Sequence, residues 1–132
     1  MDLEIINIAS NTDNNRSIKS RTHHSSLKNS LCGDEIKIDL IIKNDKIKDF
    51  GYEGKSCVYC QASASLLSRI SINKSKIEIN ELCNDVKSYF ESDLKIIKKK
   101  WKSLDKLFQN KNKSRRECIL LPFKAIKKII SA

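Results

Sequence analysis

A single change of rhythm constrains the fold of this chain more than anything else in it. Apolar residues first recur at every second position, then at every third or fourth. Ile36, Ile38, Leu40 and Ile42 alternate with Lys37, Asp39 and Lys43, the pattern of a strand with one buried face. Asn44-Asp45 follows, and both residue types tolerate positive φ, so a two-residue hairpin turn is expected there. The return strand runs from Lys46 through Ile47, Phe50 and Tyr52 towards Gly54. Ile47 and Phe50 are out of phase by one residue, which predicts a bulge near Lys48-Asp49. After Ser56 the spacing becomes helical. One helix is expected over Cys57 to Ile70, with Ser56 as N-cap and Ala62, Leu66, Leu67 and Ile70 inward. A second starts at Ile77 and puts Ile79, Leu82, Cys83, Val86 and Phe90 on one stripe. Leu94, Ile97, Trp101, Leu104 and Phe108 continue at helical spacing after a break. Gln109 to Arg116 reads as a polar, basic loop. A last helix buries Ile119, Phe123, Ile126 and Ile130, with Pro122 tolerated in its first turn. The fold class is therefore α+β: a small antiparallel sheet, with its hairpin at about 35–54, packed against several helices.

Upstream of the hairpin the pattern is weaker. Leu3 to Ala9 suits a short amphipathic helix with Leu3, Ile6 and Ile5 on its apolar side. Residues 10–30 are polar, with Ile18 and Leu27 as their large apolar members, and read as a mobile lead-in or an edge strand. A length of 132 residues suits one domain, 1–132. Met1-Asp2-Leu3-Glu4 is acidic where a signal peptide would be basic, and no long apolar run follows. The expected setting is a reducing cytoplasm, with no membrane partner. Five cysteines are an odd number there, which argues against a disulfide framework and leaves metal binding or thiol chemistry.

The net charge of +10 is unevenly spread. Residues 1–94 carry 13 Lys/Arg against 14 Asp/Glu, whereas residues 95–132 carry 13 against 2. A basic C-terminal face could meet an acidic protein or nucleic acid, or stay solvated. Nucleic acid is the weaker partner, because no exposed aromatics are interleaved with the cations.

The hairpin also places chemistry. With Asn44 and Asp45 at the turn, residues whose numbers sum to 89 oppose each other, and Cys32 and Cys57 satisfy this. Asp34 stands two residues from Cys32, on the same side of an extended chain, with Gly33 between them. Cys57 and Cys118 each begin a helix, where the helix dipole favours thiolate, and Arg115 and Arg116 adjoin Cys118. Three thiolates and one carboxylate make a four-ligand set for zinc or for an iron–sulfur cluster.

Three stretches then resemble a known family. These are Leu31-Cys32-Gly33-Asp34; Gly54-Lys55-Ser56-Cys57 with Gln61-Ala62-Ser63-Ala64-Ser65; and Arg116-Glu117-Cys118 with Leu121-Pro122-Phe123-Lys124-Ala125-Ile126. In order and spacing they resemble the NifU N-terminal family of iron–sulfur scaffolds, which includes IscU and SufU, over roughly the whole chain. The resemblance implies a SufE/NifU-like fold and a site of Cys32, Asp34, Cys57 and Cys118. It implies iron or zinc there, sulfane sulfur from a cysteine desulfurase on Cys32 or Cys118, and a [2Fe–2S] unit passed to acceptor proteins. IscU-type members have a histidine before the third cysteine and a Leu-Pro-Pro-Val-Lys chaperone motif. Here Glu117 precedes Cys118 and that motif is absent, and the long Cys57–Cys118 interval is SufU-like. The rival role implied is a zinc-dependent sulfurtransferase.

Other residues have plainer readings. Cys57-Val58-Tyr59-Cys60 is a C-x-x-C at a helix start, with no second pair for a zinc knuckle and no βαβ pattern for a thioredoxin. Cys83 and Trp101 sit on apolar stripes and are read as core, and His23-His24 as solvent-exposed. Ser63 and Ser65 lack a histidine–carboxylate pattern, which excludes a serine hydrolase.

Overall fold

The sheet grows outward from the Asn44-Asp45 turn. Both residues adopt positive φ, 54° and 60°, matching the twist of a two-residue hairpin. β2 (Glu35–Lys43) and β3 (Lys46–Glu53) run antiparallel from it. Ile42 faces Ile47 but Ile41 faces Asp49, so Lys48 is the extra residue of the expected bulge. β1 (His23–Lys28), drawn from the polar 10–30 stretch, pairs with the other edge of β2 and gives the order β1-β2-β3. Ile36, Ile38 and Leu40 turn to one face, joined there by their cross-strand neighbours Tyr52 and Phe50, and all five are buried under the helices.

The computed structural model describes residues 2–91 and 99–131, so Leu94 and Ile97 lie outside the described residues. α1 (Leu3–Ala9) forms where expected, capped by the Asp2 carboxylate. Its buried side differs from the expected one: Ile5 is buried, with Ile8 partly so, whereas Leu3 and Ile6 are exposed. Residues three apart share a face in a two-turn helix, and α1 packs against α2 with Ile5 and Ile8 on the side turned to the core. α2 (Val58–Ile70) is buried nearly all round, between α1, α4 and β3, through a run of Ala62, Ser63, Ala64 and Ser65 whose small side chains admit its neighbours. Its N-cap is Cys57 rather than Ser56, because the first helical bond runs from the Gln61 amide to the Cys57 carbonyl.

α3 (Lys76–Tyr89) opens with a capping box of Ser75 and Glu78 and buries the expected Ile79, Leu82, Cys83 and Val86. Trp101 and Leu104 are buried as the spacing predicts, but on a 3₁₀ segment, Lys99–Leu104. The supposed 109–116 loop also contains a 3₁₀ segment, Asn110–Arg115. Buried Asn112 organises it by donating to the carbonyls of Lys106 and Leu107, which apolar periodicity does not register. α4 (Arg116–Ile130) buries Ile119, Phe123, Ile126 and Ile129, with Ile130 half-buried. Pro122 is its seventh residue, not in the first turn, so the Cys118 carbonyl has no amide donor four residues on.

Asp39, on the sheet face away from the helices, is only 5% exposed. Its carboxylate accepts from the Ile18 amide at 2.9 Å, lies 2.6 Å from His24 Nδ1 and 3.6 Å from Arg21, and so ties the 16–24 segment to the sheet. Desolvation pushes its pKa up, but the Ile18 amide, His24 and Arg21 outweigh this and leave it below the ordinary 3.8. A depressed carboxyl pKa gives stability that is complete above the unfolded-state value and is lost as pH falls through the folded value. Acid titration of thermal stability below pH ~4 should therefore show a loss in the native chain that is smaller in Asp39→Asn. Equal losses in both proteins would place the acid sensitivity elsewhere.

Candidate metal centre

The β1–β2 connection is a tight turn. The Asn29 amide donates to the Asp34 carbonyl at 2.7 Å, the Gly33 amide to the Asn29 carbonyl at 2.8 Å, and the Leu31 amide to the Asn29 side chain at 2.9 Å. Gly33 takes φ +79°, a left-handed value that favours glycine. Cys32 is therefore exposed on a turn rather than paired in the ladder opposite Cys57, and the turn, not an extended chain, brings it alongside Asp34. The bulge had already moved the register by one.

Below the turn the β2–β3 ladder persists past the strands, with the Glu35 amide donating to the Lys55 carbonyl at 2.8 Å. Gly54 makes this possible. A Cβ there would lie 2.0 Å from the Glu35 carbonyl oxygen, so only glycine lets residues 54–57 cross the start of β2. The crossing delivers the Cys57 amide to Asp34 Oδ1 at 3.2 Å. From the other side, Cys118 stands in the first turn of α4. That turn is braced by the Ser63 hydroxyl, which donates to the Ile119 carbonyl at 2.5 Å.

These elements gather a Cys32 sulfur, an Asp34 carboxylate oxygen and a Cys118 sulfur within 4.8 Å of one another. One ion with metal–sulfur bonds of about 2.3 Å spans nearly that distance. Cys57 is not one of these three, but its backbone amide donates a hydrogen bond to Asp34, and its thiol is among the groups that raise the Cys118 pKa. Asp34 is 8% exposed, and its Oδ2 is buried with no hydrogen-bond partner. A desolvated carboxylate oxygen without a donor is costly, and a cation would satisfy it.

Cys118 departs from the sequence expectation of a favoured thiolate. Burial pushes its pKa well up, and the adjoining Cys57 and Asp34 push the same way. The two arginines do not offset this: Arg115 lies over the Tyr59 ring at 5.4 Å, and Arg116 donates to the Lys113 carbonyl. Positive charge within the cluster would reverse the balance, as coordination does for thiols generally.

The remaining candidates lie apart from this cluster or behind it. Cys60 is fully buried, one turn into α2. Cys83 is core, its thiol 3.6 Å from the Phe123 carbonyl and pushed by burial up to about 12. His24 is engaged by Asp39 and His23 by Thr22, while the indole of Trp101 donates to Asp85 and Ser65 to the Asn11 carbonyl. Sequence reasoning missed the shaping roles of Gly54 and Ser63. A glycine directly after a strand, at the head of the Gly54-Lys55-Ser56-Cys57 stretch, is the signal that pointed to the first. Several C-terminal cations are ion-paired: Lys100 with Glu81, Lys106 with Glu4, Lys111 with Asp2 and Lys124 with Glu117. Among the described residues, no helix is long and apolar enough to cross a membrane.

Comparison with known proteins agrees with this architecture. The NifU-like N terminal domain model matches residues 2–131. The iron–sulfur cluster assembly scaffold protein IscU of Thermotoga maritima is 32% identical over 104 residues, covering 78% of this chain and 72% of that protein. An uncharacterized protein of Borreliella burgdorferi is 32% identical over 114 residues, 86% of this chain and 79% of that one. Among solved structures, a putative scaffold protein for the SUF system from Fervidobacterium islandicum superposes with a TM-score of 0.89 at 24% identity, over 98% of this chain and 96% of that one. The N-terminal NifU-like protein of Brucella abortus gives 0.88 at 20% identity, over 98% and 91%. At those identities the structures establish the fold, and the sequence matches establish the lineage: the chain belongs to the NifU-like N-terminal domain family, the family of IscU- and SufU-like iron–sulfur cluster assembly scaffolds.

Proposed function

We propose that this protein is a scaffold on which iron and sulfide are assembled into a [2Fe–2S] cluster and passed to acceptor proteins, with Cys32, Asp34, Cys57 and Cys118 as the binding residues. The observation that carries this is the convergence of a Cys32 sulfur, an Asp34 carboxylate oxygen and a Cys118 sulfur within 4.8 Å, with Asp34 Oδ2 buried and without a donor. Thiolates from three separate elements hold soft iron, while the Asp34 oxygen is the weaker ligand and leaves the site able to release its cargo. Sulfur would come from a cysteine desulfurase in a reducing cytoplasm. Exposed Cys32 is the natural first acceptor, and buried Cys118 receives sulfur only after it has entered the site.

The deciding measurement is iron, zinc and acid-labile sulfide in protein purified without oxygen, beside Cys32→Ala. Iron with matching sulfide, lost in the variant, is the expected result. One tight zinc without sulfide would replace the scaffold role by a zinc-dependent sulfurtransferase that relays persulfide sulfur. Absence of any metal from both preparations would remove the four-residue site altogether.

A further inference from the structure

Cys60 is buried in the first turn of α2, three residues after Cys57, and does not belong to the proposed ligand set. We infer that Cys57 and Cys60 form a dithiol pair in which Cys60 is the resolving thiol, reducing a sulfane sulfur carried on Cys57 to sulfide. This presupposes the scaffold role above, in which sulfur arrives at the oxidation level of a persulfide while a cluster needs sulfide.

The placement is that of a working dithiol. Cys57 is the N-cap of α2, with φ −72° and ψ 169° and no side-chain bond to the helix, and Cys60 is the third helical residue. Side chains at these two positions face each other across the first turn, as the arms of a capping box do. Helical Cβ atoms three residues apart are about 5–6 Å from each other. A disulfide needs about 3.5–4.5 Å, so closing it requires the first turn of α2 to tighten between Cys57 and Cys60. Accessibility separates the roles: Cys57 is half-buried and reachable, whereas Cys60 is 0% exposed and cannot be loaded first.

The chemistry balances within the chain. The Cys60 sulfur attacks the inner sulfur of the Cys57 persulfide anion, the S–S bond to the outer sulfur breaks, and the Cys60 proton passes to the departing sulfur. One Cys57–Cys60 disulfide and one hydrosulfide ion result. The two thiol sulfurs are oxidised by two electrons in all, and the sulfane sulfur is reduced by two. Sulfur received on Cys32, or passed on to Cys118, reaches Cys57 by exchange: the Cys57 sulfur attacks the outer sulfur and frees the thiol that carried it. An external thiol is needed only to reset the pair.

The test uses the full chain, reduced, freed of reductant and treated with inorganic polysulfide without oxygen. Trypsin releases both cysteines on one peptide, Ser56–Arg69. In the native chain this peptide should be two hydrogens lighter, as an internal disulfide, with a matching amount of sulfide freed. In Cys60→Ser and Cys60→Ala the peptide should instead be heavier by one sulfur on Cys57, and freed sulfide should fall to the level of Cys57→Ser. A persistent Cys57 persulfide in the native chain, or equal sulfide from the Cys60 variants, overturns the proposal. Reconstitution with ferrous iron and inorganic sulfide bypasses the step, so both Cys60 variants should still build cluster. If the native chain builds none under those conditions, the scaffold role fails instead.

Discussion

Gly54→Ala is expected to destabilise the protein by about 3 kcal/mol or more and to abolish metal binding at temperatures where the chain is still folded. The added Cβ would sit 2.0 Å from the Glu35 carbonyl oxygen, 2.9 Å from its carbon and 3.0 Å from Ile36 Cα. All three are backbone atoms, so no side-chain rotation relieves the overlap, and φ +155° adds strain of its own. The chain can respond only by separating residues 54–57 from the start of β2, which breaks the Glu35–Lys55 bond and withdraws Cys57 from Asp34. Gly33→Ala is the control. Its φ is +79° but nothing lies within 4 Å of the new Cβ, so a loss of only about 1 kcal/mol is expected. Urea unfolding of both variants, with metal content measured alongside, separates the cases. Equal, small losses would mean that the Gly54 crossing does not hold the centre together.

Asp34→Asn should move stability and metal affinity in opposite directions. Without a cation, the buried Oδ2 has no donor, and an unsatisfied group of this kind costs about 1–3 kcal/mol. Asparagine keeps a carbonyl oxygen for the Cys57 amide, removes the buried negative charge and puts an NH2 in place of Oδ2, beside the Cys32 and Cys118 sulfurs that can accept from it. The metal-free variant should therefore be more stable by about 1 kcal/mol. Its affinity for ferrous iron should fall by at least the roughly 100-fold that changes outside the ligand shell already cause. Differential scanning of metal-free protein and an anaerobic iron titration read the two effects. A metal-free Asp34→Asn protein less stable than the native one would show that the carboxylate is satisfied by the fold and is not held in reserve for a cation.

Both predictions concern contacts that periodicity does not encode, and the same division runs through the whole chain. The β2–β3 hairpin, its turn, the bulge at Lys48 and the buried stripe of α3 were legible in sequence. Each depends on residues close together in the chain, where alternation and turn chemistry decide the outcome. Features that depend on a distant partner are not encoded in this way. The polarity of Asp39 suggested a solvated strand position, yet it is buried because Ile18 and His24 cross the outer face to meet it. The inward side of α1 depends on where α2 lies, and the 110–115 segment on where the Asn112 amide finds carbonyls.

The candidate centre divides in the same way. Its four residue types, their order and their placement at strand and helix starts are properties of the sequence itself, and those are what the family resemblance captured. Tertiary structure alone decided how close they come. Cys32 reaches Asp34 through a left-handed Gly33 turn, Cys57 through the crossing that Gly54 permits, and Cys118 through packing of α4 on α2. It decided the thiol chemistry as well. The burial that raises Cys118 and Cys60 comes from surrounding elements distant in the chain, and desolvation outweighs the helix-end dipoles that local sequence supplies.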